Sequence, residues 1–242
     1  MQKEKLNELE RKIGLSFHNK DLLLQALTHR SYLNENTKWH LDHNERLEFL
    51  GDAVLELVVT EYLFERYGNP EGELTNWRAA LVNAKMCAAV AAELSLEKYL
   101  FLSHGESKDS GTKAREYILA NALEALIGAM YLDKGYELTA QFITRWVITK
   151  LPEVLELGLW MDPKSRLQES AQELLGVTPT YKVTSETGPD HDKQFVVGVY
   201  LEKEKVAEGV GSSKQEAQVD AAEKALRVKK WKGPKIDIEI RH

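Results

Sequence analysis

The sequence predicts two domains in series: an all-helical domain over residues 1–157, then a small α+β domain with the element order α-β-β-β-α over residues 163–230. Apolar residues recur at helical spacing through the first 160 residues, whereas strand-like alternation begins near residue 181. The charge changes as well: the chain has 242 residues and a net charge of −6. This acid excess lies in residues 1–161, while residues 162–242 carry equal numbers of acids and bases.

The helices of the first domain follow from apolar spacing and from stop signals. Short helices are predicted around residues 6–13 and 22–27, and longer ones over residues 44–66, 74–94, 114–132 and 137–150. The sequence Gly68-Asn69-Pro70 ends the helix before it, and Gly135 is expected to end another. The polar stretch 103–111 is predicted to be a loop.

The second domain begins after a short linker, residues 158–162. Asp162 followed by Pro163 is typical of a helix start, and this helix is expected to stop at Gly176. Three strands are predicted over residues 181–185, 195–201 and 206–210, with turns at residues 188–190 and 202–205. A last helix over residues 213–228 opens with Ser213 and Glu216 as a capping box. Residues 231–242 are predicted to be a tail whose strand-like alternation has no obvious partner.

Several classes of protein are excluded by composition. Cys87 is the only cysteine, so neither an intramolecular disulfide nor a multi-cysteine zinc site is expected. No apolar run reaches the roughly 18–20 residues that span a bilayer, and the first residues lack the apolar core of a signal peptide. We therefore expect a cytoplasmic protein with no membrane partner. No glycine-rich nucleotide loop is present, so no nucleotide cofactor is expected.

Acidic residues follow one face of the predicted helix 44–66. Glu45, Glu48 and Asp52 fall within an arc of roughly 60° if each residue turns the helix by about 100°. Apolar residues surround them, and buried acids that lie close together repel each other unless a cation compensates. A solvated polar stripe explains the spacing equally well. Glu56 lies on the same arc, so spacing alone does not show where a site would end.

A second polar pair lies in another apolar segment, residues 118–132. Asn121 and Glu124 are three residues apart and therefore share a helix face. If the two helices pack together, Glu48, Asp52, Asn121 and Glu124 supply a cage made only of oxygen atoms. Such ligands suit Mg²⁺ or Mn²⁺ better than zinc.

The stretch 44–55, NERLEFLGDAVL, closely resembles the signature of bacterial ribonuclease III. Residues 27–32, LTHRSY, and 71–74, EGEL, resemble two further motifs of that family. Residues 162–230 resemble a double-stranded-RNA-binding domain in the expected place. The resemblance covers essentially the whole chain and implies an all-α endonuclease domain followed by a double-stranded-RNA-binding domain.

The resemblance also implies roles for individual residues. Glu48, Asp52 and Glu124 match the family's metal-binding acids, with Asp52 and Glu124 in the catalytic role. Glu45 and Glu71 match supporting acids, the latter contributed by the partner subunit. Asn121 stands where aspartate is usual, and its amide oxygen brings no charge, so we expect weaker metal binding.

The implied activity is Mg²⁺-dependent cleavage of double-stranded RNA by a homodimer, with Mn²⁺ able to substitute. The expected products carry 5′-phosphate and 3′-hydroxyl ends, and the expected substrates are rRNA and mRNA precursors. One alternative is a catalytically weakened or inactive RNA-binding protein, because Asn121 replaces the usual aspartate. A remoter alternative is a helical scaffold that binds proteins.

The contacts with duplex RNA are also implied by the resemblance. Gln168, Glu169 and His191 match residues that reach the minor groove, where the 2′-hydroxyls lie. Ser213 and Lys214 stand at the start of the last helix, where backbone amides and a lysine can face phosphate together. Gln215 interrupts the basic run that is usual there, so we expect weaker or more salt-sensitive binding.

Overall fold

The computed structural model describes residues 2–108, 112–189, 193–233 and 237–241. The chain divides into two compact units, Met1–Leu151 with Ile238–His242, and Pro152–Asp237. The helices are α1 Gln2–Ile13, α2 Lys20–Ala26, α3 Arg30–Glu35, α4 Glu45–Arg66, α5 Glu71–Val82, α6 Ala84–Glu93, α7 His104–Lys108, α8 Lys113–Trp146, α9 Leu151–Leu157, α10 Pro163–Leu175 and α11 Lys214–Lys229. The strands are β1 Thr180–Thr187, β2 Gln194–Leu201 and β3 Glu204–Gly211.

The first unit is built around two long helices, α4 and α8, which pack along each other. Helices α2 and α6 pack against α8 as well. The core between them is made of buried apolar side chains, among them Leu55, Val59, Leu123 and Ile127. The all-helical fold predicted for this part of the chain is confirmed.

The predicted helix over residues 74–94 is wrong in its continuity. The structure breaks it at Asn83, whose backbone is extended between α5 and α6. The Asn83 side chain accepts a hydrogen bond from the Met86 amide at 2.9 Å and so starts a new helix. The hydrogen bond that an asparagine makes as a helix cap competes with continuation of the preceding helix. The surrounding run of alanine and leucine favours helix on both sides and does not indicate this break.

Gly135 separates the two helical segments predicted over residues 114–132 and 137–150. Its backbone has φ +77° and ψ −175°, values outside the helical range, and helix resumes directly after it. Because the chain runs on with only this kink, α8 reaches from Lys113 to Trp146. The predicted loop at residues 103–111 contains the short helix α7, and residues 109–111 lie outside the described part of the chain.

The second unit is a three-stranded antiparallel sheet in the order β1-β2-β3, with α10 and α11 packed against each other and α11 packed on β2 and β3. Its core includes Leu167, Val199, Ala221, Ala225 and Leu226. The sheet confirms the predicted α-β-β-β-α order. The second turn is tighter than predicted, because β3 already starts at Glu204.

Small residues let α11 approach the sheet closely. A β-carbon at Gly209 would lie 2.1 Å from the Ala221 amide nitrogen, so only glycine fits at this point of β3. The alanines of α11 are therefore the side of the helix that faces the sheet.

No helix within the described ranges is both long and apolar enough to cross a lipid bilayer.

Ile240 forms an isolated antiparallel bridge with Tyr67. The alternating residues near the end of the sequence, for which no partner was expected, therefore pair with the residue that follows α4.

Candidate functional site

Buried polar contacts hold the start of α4. The backbone amide of Asn44, the residue before this helix, donates a hydrogen bond to the Thr28 carbonyl at 2.9 Å. Its side-chain amide donates to the Ala26 carbonyl at 3.4 Å, and Asn44 is buried. The end of α2 and the start of α4 are therefore tied together, which fixes the orientation of the first turns of α4.

Glycines bring α4 and α8 into backbone contact. A β-carbon at Gly51 would lie 1.7 Å from the Glu124 carbonyl oxygen. One at Gly128 would lie 2.2 Å from the carbonyl oxygen of Leu47. Since Gly51 precedes Asp52 and follows Glu48 by less than a turn, this close crossing places both acids beside Glu124.

The three carboxylates influence one another electrostatically. Burial raises the pKa of Glu124 to about 7, with further contributions from the negative charges of Asp52 and then Glu48. Burial also raises the pKa of Glu48, again with contributions from neighbouring acids, Glu45 and Asp52. Among the described residues, no lysine or arginine contributes to either shift. Carboxylates that lie together without a basic partner form a site of negative potential that a cation would stabilise.

The donor set fits a hard divalent cation. Glu48, Asp52 and Glu124 offer carboxylate oxygens, and Asn121, half-buried one turn before Glu124, offers an amide oxygen. Mg²⁺ and Mn²⁺ prefer such ligands. Within the described ranges, no group of three His, Cys, Asp or Glu side chains is already arranged as a closed metal-binding cluster. The donor types of the site, carboxylate and amide oxygens, fit a hard divalent cation.

The two supporting acids differ in their relation to this group: Glu45 lies near Glu48 on α4, whereas Glu71 lies on α5. Glu45 is exposed at the first position of α4, and its carboxylate lies 3.5 Å from the Arg30 guanidinium and 3.7 Å from His43 Nδ1. Glu71 is exposed at the first position of α5, where it accepts a hydrogen bond from Thr75 Oγ1 at 3.4 Å. Glu45 acts on Glu48 electrostatically, whereas in the described chain Glu71 contributes to neither raised pKa.

Cys87 borders the site and was not singled out from the sequence as a site residue. Its buried thiol donates to the Val82 carbonyl at 3.6 Å, and its interaction with the Glu124 carboxylate lowers the pKa of Glu124, opposing the effect of burial. Burial in turn raises the pKa of the Cys87 thiol. A single cysteine in an alanine-rich helix carries no signal of such a contact, because the contact depends on how α6 packs on α8.

The second unit presents polar groups in the middle of α10 and at the start of α11. Gln168 and Glu169 are exposed on α10. At the start of α11, Ser213 Oγ accepts from the Glu216 amide at 3.1 Å. Lys214 is exposed, and its ammonium group lies 5.8 Å from the centre of the Phe195 ring. His191 lies outside the described residues.

Comparison with known proteins covers both units. Residues 19–151 match the family model described as Ribonuclease-III-like, and residues 163–229 match the Double-stranded RNA binding motif. The chain is 43% identical over 228 residues to Ribonuclease 3 of a Nitratiruptor species, covering 94% of this chain and 98% of that one. It is 45% identical over 232 residues to Ribonuclease 3 of Carboxydothermus hydrogenoformans, covering 95% and 98%.

Solved structures give the same result for the first unit. The nuclease domain of ribonuclease III from Campylobacter jejuni superposes with a TM-score of 0.53 at 43% identity, covering 60% of this chain and 96% of that one. That structure is described as showing flexibility in the region involved in dimer formation. A second structure of the same domain gives a TM-score of 0.53 at 42% identity, covering 60% and 95%.

Proposed function

Because this chain belongs to the ribonuclease III family and is an endonuclease that acts on double-stranded RNA, we propose that it is a homodimeric, Mg²⁺-dependent hydrolase. The observation that carries the proposal is the cluster of Glu48, Asp52 and Glu124 across the α4–α8 crossing, which has no basic partner among the described residues. Residues 1–157 would form the catalytic and dimerisation domain, and residues 163–230 would hold the duplex.

In this proposal Glu48, Asp52, Asn121 and Glu124 hold the metal. Bound Mg²⁺ would activate a water molecule and stabilise negative charge on the scissile phosphate and on the leaving 3′-oxygen. Without a cation the pKa of Glu124 is raised to about 7, and a cation bound nearby would lower it and favour the carboxylate that serves as ligand. Asp52 and Glu124 act closest to the reacting atoms, with Glu45 and Glu71 in supporting positions. Mn²⁺ prefers the same ligands and is proposed to substitute.

The proposed products carry 5′-phosphate and 3′-hydroxyl ends, and the proposed substrates are rRNA and mRNA precursors that contain duplex segments. Duplex RNA is recognised by shape, through minor-groove and phosphate contacts. Gln168, Glu169 and His191 are proposed to contact minor grooves. Ser213 and Lys214, at the start of α11, are proposed to contact phosphate. The comparisons give no support to the alternative that Asn121 leaves only an inactive RNA-binding protein.

The homodimer is supported by the exposed face of α4. Phe49 is 81% exposed, and Leu57 and Phe64 are also exposed on the same helix. These side chains are about eight and seven residues apart, or about two helical turns each, so they lie on one face of α4 and form an apolar stripe. An exposed apolar stripe of this kind is typical of an interface between proteins. In a two-fold dimer the same stripe would contribute from both subunits.

The decisive experiment compares two carboxylates on neighbouring elements. Glu124→Gln is expected to reduce cleavage of a long RNA duplex at least about 100-fold while leaving duplex affinity unchanged, since the RNA-binding unit is separate. Glu56→Gln is the matched control, because Glu56 lies on the acidic arc of α4 and contributes to neither raised pKa in the described chain. Each protein is assayed with and without Mg²⁺. Undiminished cleavage by the Glu124 variant would refute the assignment.

A further inference from the structure

The residues Ile238–Arg241, here called the strap, pair with the turn between α4 and α5. Tyr67 and Ile240 form the antiparallel bridge. The Gly68 amide donates to the Glu239 carbonyl at 2.6 Å, and the Arg241 amide donates to the Arg66 carbonyl at 3.0 Å. The strap therefore pairs with this turn through a single isolated bridge that lies outside the three-stranded sheet.

Side chains reinforce this pairing on the strap's Glu239 side. The Glu239 amide donates to Asn69 Oδ1 at 3.0 Å, and Asn69 Nδ2 donates to the Glu73 carboxylate at 2.8 Å. Asn69 is buried. The strap is thereby linked through Asn69 to the first turn of α5, the helix that begins with Glu71.

Arg241 covers the end of α4. Its Nη1 donates to the Phe64 carbonyl at 3.0 Å, and its guanidinium lies 4.8 Å from the centre of the Phe64 ring. The last carbonyls of a helix lack partners within the helix and carry partial negative charge. An arginine that donates to them satisfies one carbonyl and stabilises the helix end.

We propose that the turn Arg66–Asn69 is a docking surface for the strap of this same chain, and that the docked strap is a positioning element for Glu71. The inference rests on the proposed function, in which Glu71 supports cleavage. The turn bonds to the strap through the Arg66 carbonyl, the Gly68 amide and the Asn69 side chain, and Glu71 follows it after a single residue. Undocking would free this turn and let Glu71 lose its fixed position, while leaving the surfaces that bind duplex RNA unchanged.

The docking itself is tested by a proline scan of the strap in the full-length protein. Glu239→Pro and Arg241→Pro each remove an amide that donates to the turn, since proline has no N–H group. Ile240→Pro is the matched control, because the Ile240 amide makes no hydrogen bond to any described residue. Hydrogen exchange of the Gly68 amide is the measurement. We expect exchange at least about tenfold faster in the first two variants and in a chain ending at Asp237, and unchanged exchange in the control. Equal exchange in all these proteins would overturn the docking.

The positioning role is tested by the kinetics of the same proteins. We expect kcat for duplex cleavage to fall about tenfold when the strap is released, with KM and duplex affinity unchanged, and Ile240→Pro to cleave like the parent. In a Glu71→Ala background, releasing the strap should cause no further loss, because both changes remove the same interaction. The positioning role would be overturned if Gly68 exchanged faster while kcat stayed unchanged. It would also be overturned if releasing the strap lowered kcat in the Glu71→Ala background by the same factor as in the parent. Failure of the parent to cleave duplex RNA would instead refute the proposed function, and the exchange measurement would still decide the docking.

Discussion

Gly51 of α4 lies directly against the carbonyl oxygen of Glu124 in α8, so close that a β-carbon would sit 1.7 Å from that oxygen. Real non-bonded carbon–oxygen contacts are about twice as long, so the two helices could not cross here with any other residue at position 51. The glycine is part of the site in a geometric sense: it sets the distance between the helix that carries Glu48 and Asp52 and the helix that carries Glu124.

Gly51→Ala is therefore expected to destabilise the protein by about 2–5 kcal/mol, because the helices must separate to admit the methyl group. It should also weaken Mg²⁺ binding, since separation moves the acids of α4 away from Glu124. Gly72→Ala is the matched control: a β-carbon there would meet nothing within 4 Å, and alanine favours a helix over glycine by about 1 kcal/mol. Urea unfolding of both variants provides the measurement. Equal stability of the two variants would contradict the close crossing.

The pH dependence of stability reports the raised pKa of Glu124. This pKa is about 7 in the folded, metal-free protein and near the ordinary value of 4.5 when unfolded. The folded state thus holds this proton more tightly, so the group's contribution to stability falls as pH rises from about 4.5 to 7 and is constant above that.

Replacing Glu124 with glutamine removes this penalty. At pH 8 without metal, Glu124→Gln is expected to stabilise the protein by about 1–2 kcal/mol, a value reduced from the full shift because the side chain is partly exposed. At pH 4.5 the effect should be small. Urea unfolding in a chelator at both pH values is the measurement. Adding Mg²⁺ at pH 8 should raise the stability of the parent and leave the variant unchanged. Equal effects at the two pH values would show that Glu124 has an ordinary pKa.

Asn121 gives a prediction about metal affinity. Asn121→Asp adds a negative ligand, so the Mg²⁺ concentration for half-maximal cleavage is expected to fall about tenfold, or about 1.4 kcal/mol. Asn121→Ala removes the oxygen and should raise that concentration. Direct titration with Mn²⁺ provides a reading that does not depend on catalysis. An unchanged requirement in both variants would place Asn121 outside the metal site.

The sequence was a good guide to patterns and a poor one to contacts. Helical spacing predicted α4 and the two segments that α8 joins across Gly135, and the alternation of residues 195–201 predicted β2, because these features depend on local periodicity. The break at Asn83 was not predicted. An asparagine can lie inside a helix or cap the start of a new one, and only the structure of the following turn decides between the two. The approach of Cys87 to Glu124 and the pairing of Ile240 with Tyr67 join residues far apart in sequence, and no spacing rule encodes them.

The exposed apolar stripe of α4 leads to a prediction about assembly. We expect the protein to sediment as a dimer near 55 kDa, twice the 27.5 kDa chain, and residues 1–158 alone to remain dimeric. Phe49→Asp should shift the full-length protein toward monomer by placing charge in the interface. Leu174→Asp is the control, because Leu174 is 57% exposed on α10 in the other unit. Sedimentation of the parent as a monomer at micromolar concentration would refute the dimer.

The start of α11 is expected to hold the duplex through contacts with phosphate. Lys214 is exposed beside backbone amides that a phosphate can accept from. Lys214→Ala is therefore expected to weaken binding about equally across RNA sequences and to reduce the slope of log affinity against log salt by about one unit. Lys182→Ala is the matched control: its ammonium group also lies over an aromatic ring, 5.2 Å from the centre of Tyr200, but on β1 and away from any helix start.

Gln168→Ala separates the two kinds of contact. Gln168 is uncharged and exposed on α10, so its loss should weaken binding with little change in the salt slope. It should also reduce discrimination between RNA and DNA duplexes, because the 2′-hydroxyls lie in the minor groove. The measurement is titration of each variant with RNA and DNA duplexes of matched sequence at several salt concentrations. If Lys214→Ala leaves affinity and slope unchanged, the phosphate contact lies elsewhere, with Lys229 and Lys230 the next basic residues to test; this outcome is physically reasonable because Gln215 interrupts the basic run beside Lys214.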